Sequence, residues 1–170
     1  MDRYVHHELR SVITASAVVA VCVPITVSVH GGPVSSTGVP LFVAALIAFV
    51  ALCTLAQATR IKWIGRVPDF ESAVPLDRPP AGPSLLRHPL NPWLFAVMGA
   101  GTLGAALAWD RMAALFPLWP ALVWLGQAGL AADWERRTGR TLWRGHDPER
   151  PWLLSATDSN RQRWTARVTN

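Results

Sequence analysis

Four long stretches of the sequence contain no Asp, Glu, Lys, Arg or His. They are residues 11–29, 39–59, 90–109 and 112–132. An α-helix needs about 20 mainly apolar residues to cross the roughly 30 Å of hydrocarbon in a bilayer, and soluble proteins seldom contain so long a run without a charge. The four stretches therefore predict four transmembrane helices and a membrane domain over residues 11–132.

The first stretch is rich in Val, Ile, Thr and Ser, which in water would favour a strand. In lipid a single apolar segment has to satisfy its own backbone hydrogen bonds, so we expect a helix, kinked at Pro24. A cleaved signal peptide is the alternative. It is disfavoured because Asp2 and Glu8 offset Arg3 and Arg10 in the head, and because no small-residue cleavage site follows the apolar run.

Basic residues are distributed unequally between the two sides of these predicted spans. The head (residues 1–10), the middle segment (residues 60–89) and the tail (residues 133–170) hold all but one of the 16 Lys and Arg residues, and the exception is Arg111. The positive-inside rule then places both termini and the middle segment in the cytoplasm. The abundance of Arg and Ala suggests a bacterial source, so the predicted location is a bacterial cytoplasmic membrane.

Tryptophans and arginines lie close to the predicted membrane surfaces. The expected interface anchors are Trp63, Trp93, Trp109 and Trp134. The middle segment is rich in proline, so it cannot form one long helix. Contacts with lipid headgroups or with a protein partner are predicted for Arg60, Lys62, Arg136, Arg137, Arg140, Trp143 and Trp152. Nucleic acid is not an expected partner, because acidic residues offset much of the positive charge of the tail.

The tail carries signals for local structure. The fourth helix is expected to continue into the tail and to end at Gly139. Residues 141–143 and 152–155 are short β-prone runs separated by a turn signal at residues 145–148, so the tail can hold a small β-hairpin. Beyond Asp158 the chain is polar, and we expect disorder or docking on a partner there.

Small residues recur every four positions along the third stretch. Residues 99–104 match the dinucleotide-binding pattern G-x-G-x-x-G, but that site needs a preceding strand and a water-accessible helix N-terminus, whereas these glycines lie within a predicted span. The period of four predicts instead a smooth helix face for close packing against another helix. It consists of Ala96, Ala100, Gly104 and Ala108, and either a neighbouring span or another subunit can occupy it.

The spans lack the groups that intramembrane chemistry needs. Ion-coupled transport and most catalysis within a membrane require ionisable side chains at depth, and the polar residues in the spans are Ser, Thr and Gln. The Ser and Thr hydroxyls are expected to bond their own helix backbone, and Gln127 to hydrogen-bond another helix. His6 and His7 are adjacent and point apart on a helix, so no metal site is predicted. Cys22 and Cys53 are predicted to lie too far apart for a disulfide.

These features predict an all-α membrane protein, a four-helix bundle with a short cytoplasmic tail. Without cofactor or catalytic motif, we expect a non-catalytic accessory or scaffold subunit that contacts the bilayer and other membrane subunits or copies of itself. A small homo-oligomeric permease or ligand-binding membrane protein is the first alternative. A membrane enzyme with catalytic groups at the inner interface is the second, and its candidate residues are His88, Asp133, Glu135 and His146.

Overall fold

The computed structural model describes residues 2–31, 38–61, 64–76, 89–145 and 153–158. Most of these residues are helical, and four short strands form one sheet. The helices are α1 (Tyr4–His30), α2 (Gly38–Gln57), α3 (Val67–Glu71), α4 (Pro92–Ala108) and α5 (Leu118–Thr138), with a 3-10 helix at Arg111–Leu115. The strands are β1 (Asp2–Arg3), β2 (Val74–Pro75), β3 (Arg140–Arg144) and β4 (Leu154–Asp158).

Three helical segments are long and apolar enough to cross a membrane. They are α1, α2 and the segment Arg111–Thr138, which combines the 3-10 helix with α5. α4 is also apolar, but it has 17 residues and rises only about 26 Å. To this extent the prediction of a mainly helical chain with several membrane-length helices is confirmed.

α1 is a helix despite its many β-branched residues. The hydroxyl groups of Thr14 and Thr26 donate to the carbonyl oxygens of Arg10 and Cys22, each at 2.7 Å. These bonds to the preceding turn satisfy the hydroxyls within the helix itself. The prediction that such side chains bond their own backbone is confirmed for these two threonines.

The first helix begins before the first charge-free stretch. That stretch starts at Ser11, but α1 begins at Tyr4 and includes Glu8 and Arg10 of the polar head. The charged side chains mark the end of the apolar stretch, but they do not interrupt the backbone hydrogen bonds of a helix. The boundary of the charge-free run is therefore not the boundary of the helix.

The ends of α5 follow from a proline and a glycine. The charge-free stretch 112–132 predicts a helix that either begins at Pro117 or is bent over its first turns. The structure agrees with the first alternative, because the 3-10 helix occupies Arg111–Leu115 and α5 begins at Leu118, after Pro117. Proline suits a helix start because its fixed φ is helical and the missing N–H needs no partner there. The predicted stop is confirmed, because Gly139 has a φ of 66° and its N–H donates to the Glu135 carbonyl at 2.9 Å.

The helices do not pack in the order that the sequence suggests. α1 packs against both α5 and α4, and α2 packs against α5. Because only a few residues around Asp110 and Arg111 separate the third and fourth stretches, the sequence predicts that these two spans form a tight antiparallel hairpin, and this prediction is wrong in one respect. The connection is short, but α4 and α5 make little direct contact, because both pack on α1 and the 3-10 helix between them also contacts α1.

The sheet joins three distant parts of the chain, with the strand order β1-β3-β4-β2. β3 and β4 are antiparallel and pair Leu142 with Ala156, which confirms the predicted tail hairpin, although residues 146–152 lie outside the described part. β1 adds to β3 antiparallel, and β2 adds to β4 in parallel. The head, the middle segment and the tail thus meet at one end of the helices. We call the four strands and α3 the cap.

The cap has a small apolar core of its own. The Tyr4 and Phe70 rings meet edge to face, with centroids 5.7 Å apart. The buried residues of this core are Tyr4, Phe70, Ala131, Leu142, Leu154 and Ala156. Since Tyr4 belongs to α1 and Ala131 to α5, the same core fixes the cap to the ends of these two helices.

Candidate functional site

The small-residue face predicted on the third stretch lies on the outer surface of α4. Ala96, Ala100, Gly104 and Ala108 are all exposed. A Cβ added at Gly104 would meet nothing within 4 Å. α4 packs on α1 through a different face, whose fully buried residue is Ala106. No helix in the described part of the chain covers the predicted face.

Among the described residues of the predicted spans, the glycine that lies closest to another helix is Gly126 of α5, which faces α2. A Cβ added at Gly126 in α5 would lie 2.7 Å from the Thr54 hydroxyl oxygen in α2. A contact that short forms only if the Thr54 side chain or one of the helices moves, so Gly126 allows the close approach of α2 and α5. Sequence reasoning missed this position because the residues four positions away from Gly126 are Leu122 and Leu130, so it belongs to no four-residue repeat of small residues.

The predicted interface anchors differ in their surroundings. Trp93 and Trp109 are among the most exposed large side chains, at opposite ends of α4. Trp134 is half-buried against the cap core, with its ring centroid 6.0 Å from that of Phe70. Trp63 lies outside the described residues.

Some of the residues predicted to contact lipid or a partner already bind within the chain. Arg137 pairs with Asp133 at 2.8 Å and Arg60 pairs with Glu71 at 3.4 Å. The Trp143 indole N–H donates to the Thr157 hydroxyl at 2.9 Å within the hairpin.

The remaining residues of that group are Arg136, Arg140, Lys62 and Trp152. The Arg136 Nε donates to the carbonyl oxygen of Ala132 at 3.3 Å, and Arg140 is exposed at the start of β3. Lys62 and Trp152 lie outside the described residues.

Glu135 is the buried carboxylate that holds the cap to α5. Its side chain is only 7% exposed, and Oε2 accepts a hydrogen bond from the Arg3 guanidinium at 2.5 Å. Its Oε1 accepts from the backbone N–H of Leu142 at 2.8 Å. One side chain therefore ties α5 to the head through β1 and to the tail through β3. Of the other proposed catalytic groups, Asp133 pairs with Arg137, and His88 and His146 lie outside the described residues.

A cavity of about 570 Å³ lies between the cap and the helices. Five parts of the chain line it: the first turns of α1, α3 with the residues on either side of it, the start of α4, the middle of α5, and the end of β3 with the start of β4. Its polar lining residues are Tyr4, His7, Glu8, Ser11, Arg66, Asp69, Ser72, Asn91, Gln127 and Arg144. The volume is within the range of small-molecule sites, but the lining is more polar than most.

The helix starts around this cavity are held by defined hydrogen bonds. The Asn91 side chain caps α4 by accepting from the Leu94 N–H at 3.2 Å. The Asn91 backbone N–H donates to the Thr14 hydroxyl of α1 at 3.0 Å. The start of α4 is thereby fixed to α1 at the edge of the cavity. Gln127, expected to bond another helix, is buried and lines the cavity.

Glu8 is the most deeply buried charged residue of the cavity wall. It is 3% exposed and pairs with Arg144 of β3 at 3.8 Å. Arg66 also lies near enough for its charge to act on Glu8. The sequence does contain a signal for this placement, because Tyr4, Glu8 and Ser11 extend the buried face of α1 backwards at helical spacing. The sequence prediction treated residues 1–10 as a segment separate from the first span, so it did not place Glu8 on the buried face of α1.

Among the described residues, no group of three or more His, Cys, Asp or Glu side chains lies close enough together to hold a metal ion. Cys22 and Cys53 are both free thiols. Comparison with protein families, with curated proteins and with solved structures finds no match to this chain.

Proposed function

We propose that this protein is a non-catalytic accessory or scaffold subunit of a bacterial cytoplasmic-membrane complex. In this proposal α4 binds a transmembrane helix of a different subunit through its small-residue face. The observation that carries the proposal is the exposure of Ala96, Ala100, Gly104 and Ala108 on a helix that packs through another face.

The membrane topology in this proposal has four spans. α4 is short, but it packs along α1, so the two helices share the same apolar surroundings. An even number of spans returns both termini to one side, and the cap, which contains strands from the head and the tail, is consistent with that arrangement. Nearly all Arg and Lys residues belong to the segments at this end, so we propose that it is cytoplasmic.

The exposed face of α4 differs from a surface that only contacts lipid. The exposed face of α2 carries long aliphatic side chains such as Leu41, Ile47 and Leu52, which suit acyl chains. The α4 face of Ala96, Ala100, Gly104 and Ala108 carries only methyl groups and a hydrogen, over about three helical turns. Such a face allows two helix backbones to approach closely, so that dispersion contacts can hold them together in lipid, where no hydrophobic driving force between helices exists.

A subunit without its own chemistry fits the content of the spans. The charge-free stretches contain no ionisable group other than the thiols of Cys22 and Cys53. Glu135, the buried carboxylate at the end of α5, is occupied by Arg3 and by the Leu142 N–H. Both observations support an assembly role over coupled transport or intramembrane catalysis.

The test compares two glycine substitutions on α4. Gly104→Leu fills the small-residue face, whereas Gly101→Leu adds the same side chain about 60° around the helix from Gly104 and about 80° from the centre of that face. Both glycines are exposed, and a Cβ at either would meet nothing within 4 Å. Both variants should therefore fold as the wild type does, which far-UV circular dichroism and thermal unfolding in detergent can verify.

The assembly is measured by native mass spectrometry of each variant, extracted from its native membrane into nanodiscs. We expect the wild type and Gly101→Leu to carry one different polypeptide in fixed stoichiometry, and Gly104→Leu to lose it. A cysteine at position 100 should then crosslink to one transmembrane helix of that polypeptide. An assembly that survives Gly104→Leu, or one containing only copies of this chain, would refute the proposal.

A further inference from the structure

The cavity beneath the cap brings together charges of both signs. Glu8 contributes a carboxylate from α1, Arg144 a guanidinium from β3, and Arg66 and Asp69 a second pair from α3 and the residue before it. The formal charges of these four groups sum to zero, so the cavity favours neither a purely anionic nor a purely cationic ligand. It is suited to a ligand that carries both charges.

The ion pairs inside the cavity are long. Glu8 and Arg144 are 3.8 Å apart, and Arg66 and Asp69 are 3.4 Å apart. Charge-assisted hydrogen bonds between such groups are normally about 2.7–2.9 Å. For comparison, Asp2 and Arg10 at the edge of the cap approach to 3.0 Å. The charged groups that line the cavity therefore retain hydrogen-bonding capacity that a ligand can use.

Glu8 has the strongest requirement for such a ligand. It is 3% exposed, and a carboxylate removed from water is unfavourable unless it is paired and hydrogen-bonded. The Tyr4 hydroxyl hydrogen-bonds Glu8, whereas the ion pair with Arg144 is too long to be a hydrogen bond. A carboxylate has about four acceptor sites, so a primary ammonium group beside Glu8 would supply further donors together with a close positive charge.

Apolar residues also line the cavity. They are Leu94, Trp124, Leu153 and Leu154, of which Leu154 pairs with Arg144 in the sheet and Trp124 lies within the membrane-length segment that contains α5. The cavity therefore extends from the charged groups of the cap towards the apolar helices. This arrangement matches a ligand with a charged head and an apolar extension.

From these contacts we infer that the cavity binds a phosphoethanolamine group, with its ammonium on Glu8 and its phosphate oxygens on Arg144 and Arg66. A membrane phospholipid or a soluble phosphoethanolamine compound can present this group. Arginine suits the phosphate because its planar guanidinium donates two parallel hydrogen bonds. The inference concerns a different surface from the α4 face, so it does not depend on the partner subunit.

The test measures lipid selectivity of the delipidated full chain by native mass spectrometry in detergent. Phosphatidylethanolamine carries both charges, whereas phosphatidylglycerol carries the phosphate without an ammonium. We expect one phosphatidylethanolamine to bind the wild type in preference to phosphatidylglycerol. Because hydrogen bonds to charged groups contribute about 1.5–3 kcal/mol, Glu8→Gln should weaken phosphatidylethanolamine binding about 10- to 100-fold.

The selectivity separates a binding role from a structural one. Glu8→Gln leaves both arginines in place, so phosphatidylglycerol should bind it at least as well as it binds the wild type, and the preference should reverse. Asp133→Asn is the matched control, because Asp133 is an acidic residue of α5 that pairs with Arg137 and does not line the cavity. A misfolded variant would instead lose the binding of both lipids.

Two further arms complete the test. If Glu8→Gln does not fold, Arg66→Gln replaces it as the test variant, because Arg66 is half-exposed. The loss of its guanidinium should weaken the binding of both lipids to the same extent. Soluble glycerophosphoethanolamine then distinguishes the sources: binding of it shows that the headgroup suffices, and binding of the lipid alone shows that acyl chains are required. Either result supports the inference. Equal binding of the two lipids to the wild type, or an unchanged preference in Glu8→Gln, would overturn it.

Discussion

Replacing Glu135 by alanine should open the cap locally. The carboxylate accepts a hydrogen bond from the buried Leu142 N–H at 2.8 Å and pairs with Arg3, whose side chain is 40% exposed. Leaving the Leu142 amide unpaired costs about 1–3 kcal/mol, and losing a partly exposed ion pair costs up to about 1 kcal/mol more. We therefore expect the hairpin to lose about 1–4 kcal/mol of local stability.

Hydrogen exchange of the β3 and β4 peptides measures this opening directly. Each 1.4 kcal/mol changes the equilibrium population of the open form tenfold, so exchange in Glu135→Ala should accelerate roughly 5- to 700-fold. Glu135→Gln is the matched control. Its amide oxygen can still accept from Leu142, so only the ion pair is lost and exchange should accelerate less than about fivefold.

The comparison can refute the reasoning in two ways. If Glu135→Ala exchanges within about threefold of the wild type, the carboxylate does not hold the cap to α5. If the Ala and Gln variants accelerate equally, the charge matters rather than the hydrogen bond to Leu142. Exchange in α2, which the cap core does not include, should be unchanged in both variants.

Two further predictions concern the helix interfaces, and both are measured by unfolding in increasing dodecyl sulfate, followed by circular dichroism. Gly126→Leu should destabilise the protein by about 1–3 kcal/mol because its side chain would collide with Thr54, whereas Gly129→Leu, with nothing within 4 Å, should change stability by less than about 1 kcal/mol. Equal effects would contradict the close approach of α2 and α5. Thr14→Val should cost about 1–3 kcal/mol because the Asn91 N–H loses its acceptor, and Thr14→Ser should cost about 1 kcal/mol or less. A serine variant as unstable as the valine variant would show that the Thr14 methyl group, and not its oxygen, is what matters.

The helices could be predicted from the sequence because their cause is local. A run of about 20 residues without charge has to satisfy its backbone hydrogen bonds within the segment, and all four runs contain a helix in the structure. The end of α5 at Gly139 and the hairpin of β3 and β4 are equally local, because a left-handed glycine and a β-prone pair of segments act over a few residues. These features could be predicted without knowing which parts of the chain pack against them.

The cap and its cavity could not be predicted in this way. β1 and β2 are two residues long, too short to show any alternation, and they are strands only because β3 and β4 offer free edges. The Arg3–Glu135 pair joins residues 132 positions apart. Glu8 and Arg144 likewise face each other only once α1 and α5 have packed.

The small-residue face on α4 also has one property that the sequence determines and one that the packing determines. The repeat of Ala96, Ala100, Gly104 and Ala108 shows that a helix can approach there, but the spacing is the same whether or not a helix does. Only the packing of α4 on α1 leaves this face exposed. The sequence thus determined each segment's local conformation through hydrogen bonds and torsional preferences within that segment. The tertiary structure decided which surfaces meet, because that depends on the relative packing energies of faces far apart in the chain.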